Sequence, residues 1–121
     1  MILGIGCDIL EIKRIRDLQE KRRLDRIYTE EERRQAMERA SMLAGDFSVK
    51  EAVAKCFGTG VRGFALTEIE VLRDACGRPY VKLYGAAEAL FRRLGGSRIH
   101  VSISDTGELV TAFAVLEGGE T

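Results

Sequence analysis

The sequence is poor in the residues that build cages and cross-links. Its three cysteines, Cys7, Cys56 and Cys76, are far apart and odd in number, and no CxxC pair occurs. This argues against a disulfide framework or a cysteine metal cage and fits a reducing cytosol. The single histidine, His100, has no partner histidine for a metal and reads as a structural residue. No charge of either sign is left over: Lys+Arg and Asp+Glu both total 19. A general nucleic-acid or membrane binder is therefore not expected, although local patches remain open. The N-terminal "MILGIGCDIL" is apolar but lacks a basic leader, is interrupted by Asp8 and is too short to span a bilayer, so neither signal peptide nor anchor is expected. Ile at position 2 gives no myristoylation signal. Repeats, low-complexity runs and Pro- or Ser-rich linkers are also lacking.

What is present suits one domain spanning 1–121. Hydrophobic residues make up 45% and charged residues 31% of the 121, enough to bury a core. Met1 to Leu10 reads as a buried strand, with Gly4, Gly6 and Asp8 on one face. Those glycines leave room for a close approach on the face that carries Asp8. Glu11 to Arg26 is charged and helical in pattern, with Ile12, Ile15 and Leu18 on one side. Thr29 with Glu32 forms a capping box, after which Ala36, Met37, Ala40, Leu43 and Ala44 recur at helical spacing. Gly45 permits a break or close packing before a second helical run, Phe47 to Phe57.

The second half changes character. "LTEIEVLRD" and "PYVKLYG" read as strands about the turn "ACGRP", and "AAEALFRRLGG" as a short amphipathic helix. "SRIHVSIS" alternates Ile99, Val101 and Ile103 with polar residues. "LVTAFAVLE" is apolar on both faces, as for a strand buried on both sides or at a subunit contact. The order predicts an α+β fold with a largely antiparallel sheet packed with helices.

The chemistry concentrates in "LAGDFSVKEAVAKCFGTG". On a helix, Glu51 and Lys55 are i, i+4 neighbours. As an ordinary capped helix, the segment would have Ser48 and Glu51 as a capping box, a Glu51–Lys55 ion pair and Gly58 as terminator. As a site, Gly58-Thr59-Gly60 would offer backbone N–H groups to phosphate beside Lys55. It is not a P-loop, since GxxxxGK[ST] is absent. Asp8 either caps the helix that begins near Glu11 or binds metal. Two carboxylates with phosphate oxygens and water make a typical magnesium environment.

Four blocks then carry a resemblance: "GIGCDILEIKRI", "FSVKEAVAKCFGTG", "GRPYVKLYGAA" and "VSISDTGELVTAFAVLE". In order and spacing they resemble holo-acyl-carrier-protein synthases, the small 4′-phosphopantetheinyl transferases of bacterial lipid synthesis, from Gly4 to Glu117. The resemblance implies the 4′-phosphopantetheinyl transferase fold and transfer of phosphopantetheine from coenzyme A to a serine of apo acyl carrier protein, with release of 3′,5′-ADP. It implies Mg²⁺ held by Asp8 and Glu51, and Lys55 neutralising phosphate. Gly58, Thr59 and Gly60 would line the coenzyme A site, with Lys50 a weaker phosphate residue. Glu51 is the expected acceptor of the serine proton. It further implies a homotrimer with interfacial active sites, an acidic carrier partner, and Arg14 as its contact within the basic Glu11–Arg26 segment. The family usually has Arg where this chain has Asp46, and His where it has Asp105, which belongs to the coenzyme A site. Both anions are expected to weaken attraction for a polyanion, unless Asp105 supports the metal or a lysine. They also favour an alternative, a non-catalytic coenzyme A or carrier binder of the same fold. A third reading is a small oligomeric structural domain in which Glu51 only caps a helix.

Overall fold

A computed structural model describes residues 1–119. The chain begins with strand β1 (Ile2–Glu11) and continues through helices α1 (Ile12–Glu20), α2 (Glu30–Ala36) and α3 (Ala40–Cys56). A 3₁₀ turn (Leu66–Glu68) leads into β2 (Ile69–Arg73) and β3 (Pro79–Leu83), and then α4 (Gly85–Arg93), β4 (Gly96–Asp105) and β5 (Leu109–Gly118) follow. β5 lies between β1 and β4, antiparallel to both, while β2 and β3 form a separate antiparallel pair. The α+β fold with an antiparallel sheet is thus as the sequence predicts. No helix among the described residues is long and apolar enough to cross a membrane.

Helix α3 is the axis of the packing. Its Val49, Ala52, Val53 and Cys56 are buried against Ala112, Ala114 and Leu116 of β5 and Ile69 and Val71 of β2. Each fully buried Val, Leu or Ile side chain contributes about 1.5–3 kcal/mol. A second cluster joins Ile12 and Ile15 of α1 to Leu10, Tyr28, Leu43 and Val110. Ile99, Val101 and Ile103 of β4 pack on the first cluster, as their alternation predicts.

Three local readings change. The helical spacing from Ala36 to Ala44 does not belong to one helix: α2 stops at Met37, in the left-handed region at φ 50°, and α3 restarts at Ala40. Gly45 does not break α3 and serves close packing instead. A β-carbon there would stand 3.4 Å from Arg73 Nη2 and from Ile103 Cγ2. Strands β1 and β5 are not buried on both sides within this chain. Ile5 and Ile9 are 71% and 67% exposed, and Phe113 of β5 is 55% exposed on the same outward face.

Candidate functional site

The site begins with two glycines. A β-carbon at Gly4 would press into the Cys56 carbonyl and one at Gly6 into the Ala52 carbonyl. Their absence lets β1 lie directly on the α3 backbone, the close approach the sequence predicts. Asp8, two residues on, then faces the helix surface that carries Ser48, Glu51 and Lys55, at i, i+3 and i+7.

Asp8 is well held. Ser48 Oγ donates to its Oδ2 at 3.0 Å, and Lys55 Nζ stands 3.6 Å from its Oδ1. Lys55 also donates to the Cys7 carbonyl at 2.8 Å, and Thr111 Oγ1 donates to the carbonyl of Asp8 itself at 2.8 Å. Glu51 belongs to the same group of charges. Burial raises its carboxyl pKa first and the nearby Asp8 raises it further, while Lys55 and Arg14 pull it down. Arg14 approaches from α1 with its guanidinium 5.8 Å from the centre of the Phe47 ring.

Beyond Lys55 the chain turns away through Gly58 and Gly60, both at positive φ (79° and 65°) with open space where a β-carbon would be. Thr59 between them is exposed and donates to the Gly60 carbonyl. Two carboxylates and a lysine thus gather along the second half of α3, and the glycine loop follows from its end. Among the described residues no group of three or more His, Cys, Asp and Glu side chains is placed to hold a metal ion. Cages of nitrogen and sulfur are therefore not on offer. The two-carboxylate set suits Mg²⁺, which takes few protein ligands and keeps several waters.

A model of the 4′-phosphopantetheinyl transferase superfamily matches residues 4–114. The chain belongs to that superfamily. It is 50% identical over 118 residues to a holo-[acyl-carrier-protein] synthase of Lachnoclostridium phytofermentans, covering 97% of each chain. The crystal structure of the Neisseria meningitidis holo-[acyl-carrier-protein] synthase superposes with a TM-score of 0.88 at 40% identity, covering 97% of this chain and 99% of that one. A Bacillus anthracis holo-(acyl-carrier-protein) synthase in complex with coenzyme A (3′,5′-ADP) does so at 0.82 and 34% identity, covering 98% and 99%.

In this member of the superfamily several sequence readings need correction. Lys50 is no phosphate residue: it is fully buried and donates to Glu32, the Leu66 carbonyl and the Ile69 carbonyl. Ser48 caps nothing, because α3 begins eight residues earlier, at Ala40; it anchors Asp8 instead. Sequence reasoning missed that role, although the shared face of 48, 51 and 55 was its signal. Asp8 is not an N-cap, since Glu11 holds that position for α1. The expected Glu51–Lys55 pair is replaced by Lys55–Asp8.

Asp46 is not an exposed anion. It is 1% exposed, with Arg73 paired to its carboxylate. Burial nevertheless dominates and raises its pKa to about 7, against the downward pull of Arg73. Asp105 is exposed at the end of β4. It lines a cavity of about 290 Å³ with Arg39, Ser41, Gly45, Arg73 and Ile103, outside the Asp8 hydrogen-bond group. The remaining acidic departure is therefore Asp105 alone.

Proposed function

We propose that the protein is a Mg²⁺-dependent holo-acyl-carrier-protein synthase, acting as one domain over 1–121 in the cytoplasm. The observation that carries this reading is the convergence of Asp8 from β1 with Glu51 and Lys55 from α3. In the reaction the serine hydroxyl of the apo carrier attacks the β-phosphorus of coenzyme A. A new serine O–P bond forms, the pyrophosphate P–O bond breaks, and 3′,5′-ADP leaves.

Asp8 and Glu51 are the residues that would hold Mg²⁺, which when bound offsets the charge of the pyrophosphate. Ser48 fixes the Asp8 carboxylate, so the donor set is oriented before substrate arrives. Lys55 supplies a cation at the phosphates, and the Gly58–Gly60 loop presents the backbone of Thr59 and Gly60 to them, the Gly58 N–H being bonded to the Lys55 carbonyl. Glu51 is our assignment for the acceptor of the serine proton. Positioning accounts for most of the rate, as in other phosphoryl transfers.

The basic residues of α1 and the segment after it, Arg14 foremost, suit an acidic carrier. Arg14 is exposed and within electrostatic reach of Glu51, which would bring a carrier docked there beside the reacting groups. The outward face of β1 and β5, with Ile5, Ile9, Leu109 and Phe113 exposed, supports assembly into a homotrimer.

The test is direct. The purified protein is incubated with apo carrier, coenzyme A and Mg²⁺, and the carrier is weighed by intact-mass spectrometry. A gain of one phosphopantetheine group, lost with Glu51→Gln in a normally folded variant, supports the reading. Normal loading by Glu51→Gln would sink the residue assignment. Coenzyme A binding without transfer would favour the non-catalytic alternative, for which only Asp105 now speaks.

A further inference from the structure

Lys50 has no exposed surface, yet its ammonium is saturated. Nζ donates to Glu32 Oε1 at 3.0 Å, to the Leu66 carbonyl at 2.9 Å and to the Ile69 carbonyl. Glu32 in turn accepts from Thr29 N at 2.8 Å and Val71 N at 2.7 Å. This knot ties α2, α3, the 3₁₀ turn and β2 together through one lysine side chain. The two further bonds go to the backbone at either end of the 3₁₀ turn, where the connection from Gly58 rejoins the core.

That connection leaves α3 at Phe57, and Lys50 grips its far end from two turns earlier on the same helix. Its own hydrogen bonds are short-range: Gly58 N to Lys55 O, Arg62 N to Gly60 O, Thr59 Oγ1 to Gly60 O and Ala65 N to Glu68 Oε1. At the closing end of the loop the long-range hold is shared: the Phe64 ring meets Phe57 edge-on at 5.8 Å, Tyr84 N and Ala86 N donate to the Glu68 carbonyl and carboxylate, and Lys50 ties the turn to α3.

We propose that Lys50 is a positioning residue: by clamping the Leu66 and Ile69 carbonyls to α3, it sets the shape of the Gly58–Gly60 loop and so the affinity for the phosphates of coenzyme A. The proposal rests on the assignment of that loop to the phosphates made above. Lys50 itself touches no substrate and acts through the backbone it holds.

Two variants test it, Lys50→Met and the double variant Glu32→Gln/Lys50→Met. The single change strands the buried Glu32 carboxylate and is expected to lower the melting temperature. The double change removes that stranded charge and is expected to regain much of it. In both, KM for coenzyme A should rise about tenfold or more while KM for the apo carrier stays within about twofold of wild type. If the double variant regains stability and also a wild-type KM for coenzyme A, Lys50 is merely structural and the proposal is overturned. An unchanged KM in the single variant overturns it as well. Should the single variant not fold, the double variant decides. A wild-type protein that neither binds nor turns over coenzyme A would overturn the parent reading and this one with it, an outcome visible before any variant is made.

Discussion

Gly6 of β1 and Ala52 of α3 meet backbone to backbone: a β-carbon on residue 6 would run into the Ala52 carbonyl oxygen and stand 3.0 Å from Lys55 Cβ. The strand therefore lies nearer the helix than any side chain would allow, and Asp8 reaches Ser48 and Lys55 because of it. Gly6→Ala must push the two elements apart. We expect a loss of about 1–3 kcal/mol in urea unfolding and a larger relative loss of carrier loading. Wild-type stability and loading together would show that the close approach is dispensable.

The charge of Asp8 should be legible in the titration of Glu51. Burial is the first cause of the raised Glu51 pKa and Asp8 the second. Asp8→Asn removes only the second. In the metal-free protein the Glu51 carboxyl should then titrate below its wild-type value yet remain above that of an exposed glutamate. Carbon-detected NMR across the acid range reads this, and an unmoved Glu51 would mean that the two carboxylates do not share a site.

Asp46 predicts a pH dependence of stability with a definite sign. Its carboxyl pKa is about 7 in the folded chain against an ordinary 3.8. Between those values the folded state keeps a proton that the unfolded state releases. Stability from this group is therefore greatest below pH 4 and falls as pH rises to about 7, then levels off. Asp46→Asn lacks this slope. Relative to the variant, the wild type should lose up to about 4 kcal/mol between pH 4 and 7, measured by denaturant unfolding at several pH values. Parallel curves would place an ionised Asp46 in the folded state throughout.

Phe113 tests the assembly. It is 55% exposed on the outward face of β5, opposite Cys7 of β1. Phe113→Lys places a charge on that face without touching the inner core. Sedimentation should show a smaller species than the wild type, and carrier loading should fall with it. A wild type that sediments as a monomer would remove the trimer from the account.

Much of the architecture was readable because it rests on periodicity. The β4 alternation, the Thr29–Glu32 box and the α4 stripe each involve neighbours in sequence, and each stands in the structure. Asp8, Glu51 and Lys55 were readable as chemistry because charges in apolar segments need partners. What escaped depends on distant contacts. Nothing local says that Lys50 turns inward while Glu51, its neighbour, stays half-exposed, because Glu32, Leu66 and Ile69 lie 16 to 19 residues away. Asp46 likewise looked like a surface departure until Arg73, 27 residues on, supplied its counter-charge. The stop at Met37 has no glycine or proline to mark it.

Helix α3 runs unbroken for 17 residues and carries Ser48, Glu51 and Lys55 on one side. The offset from Glu51 to Lys55 is consequently a property of helical pitch, about 6 Å along the axis, and no loop can adjust it. Inserting one residue between them would swing Lys55 roughly 100° around the axis and silence the site with every side chain still present. Such a ruler leaves evolution, or an engineer, only the ends to alter: the loop from Gly58 onward, and the partner surface beyond Arg14.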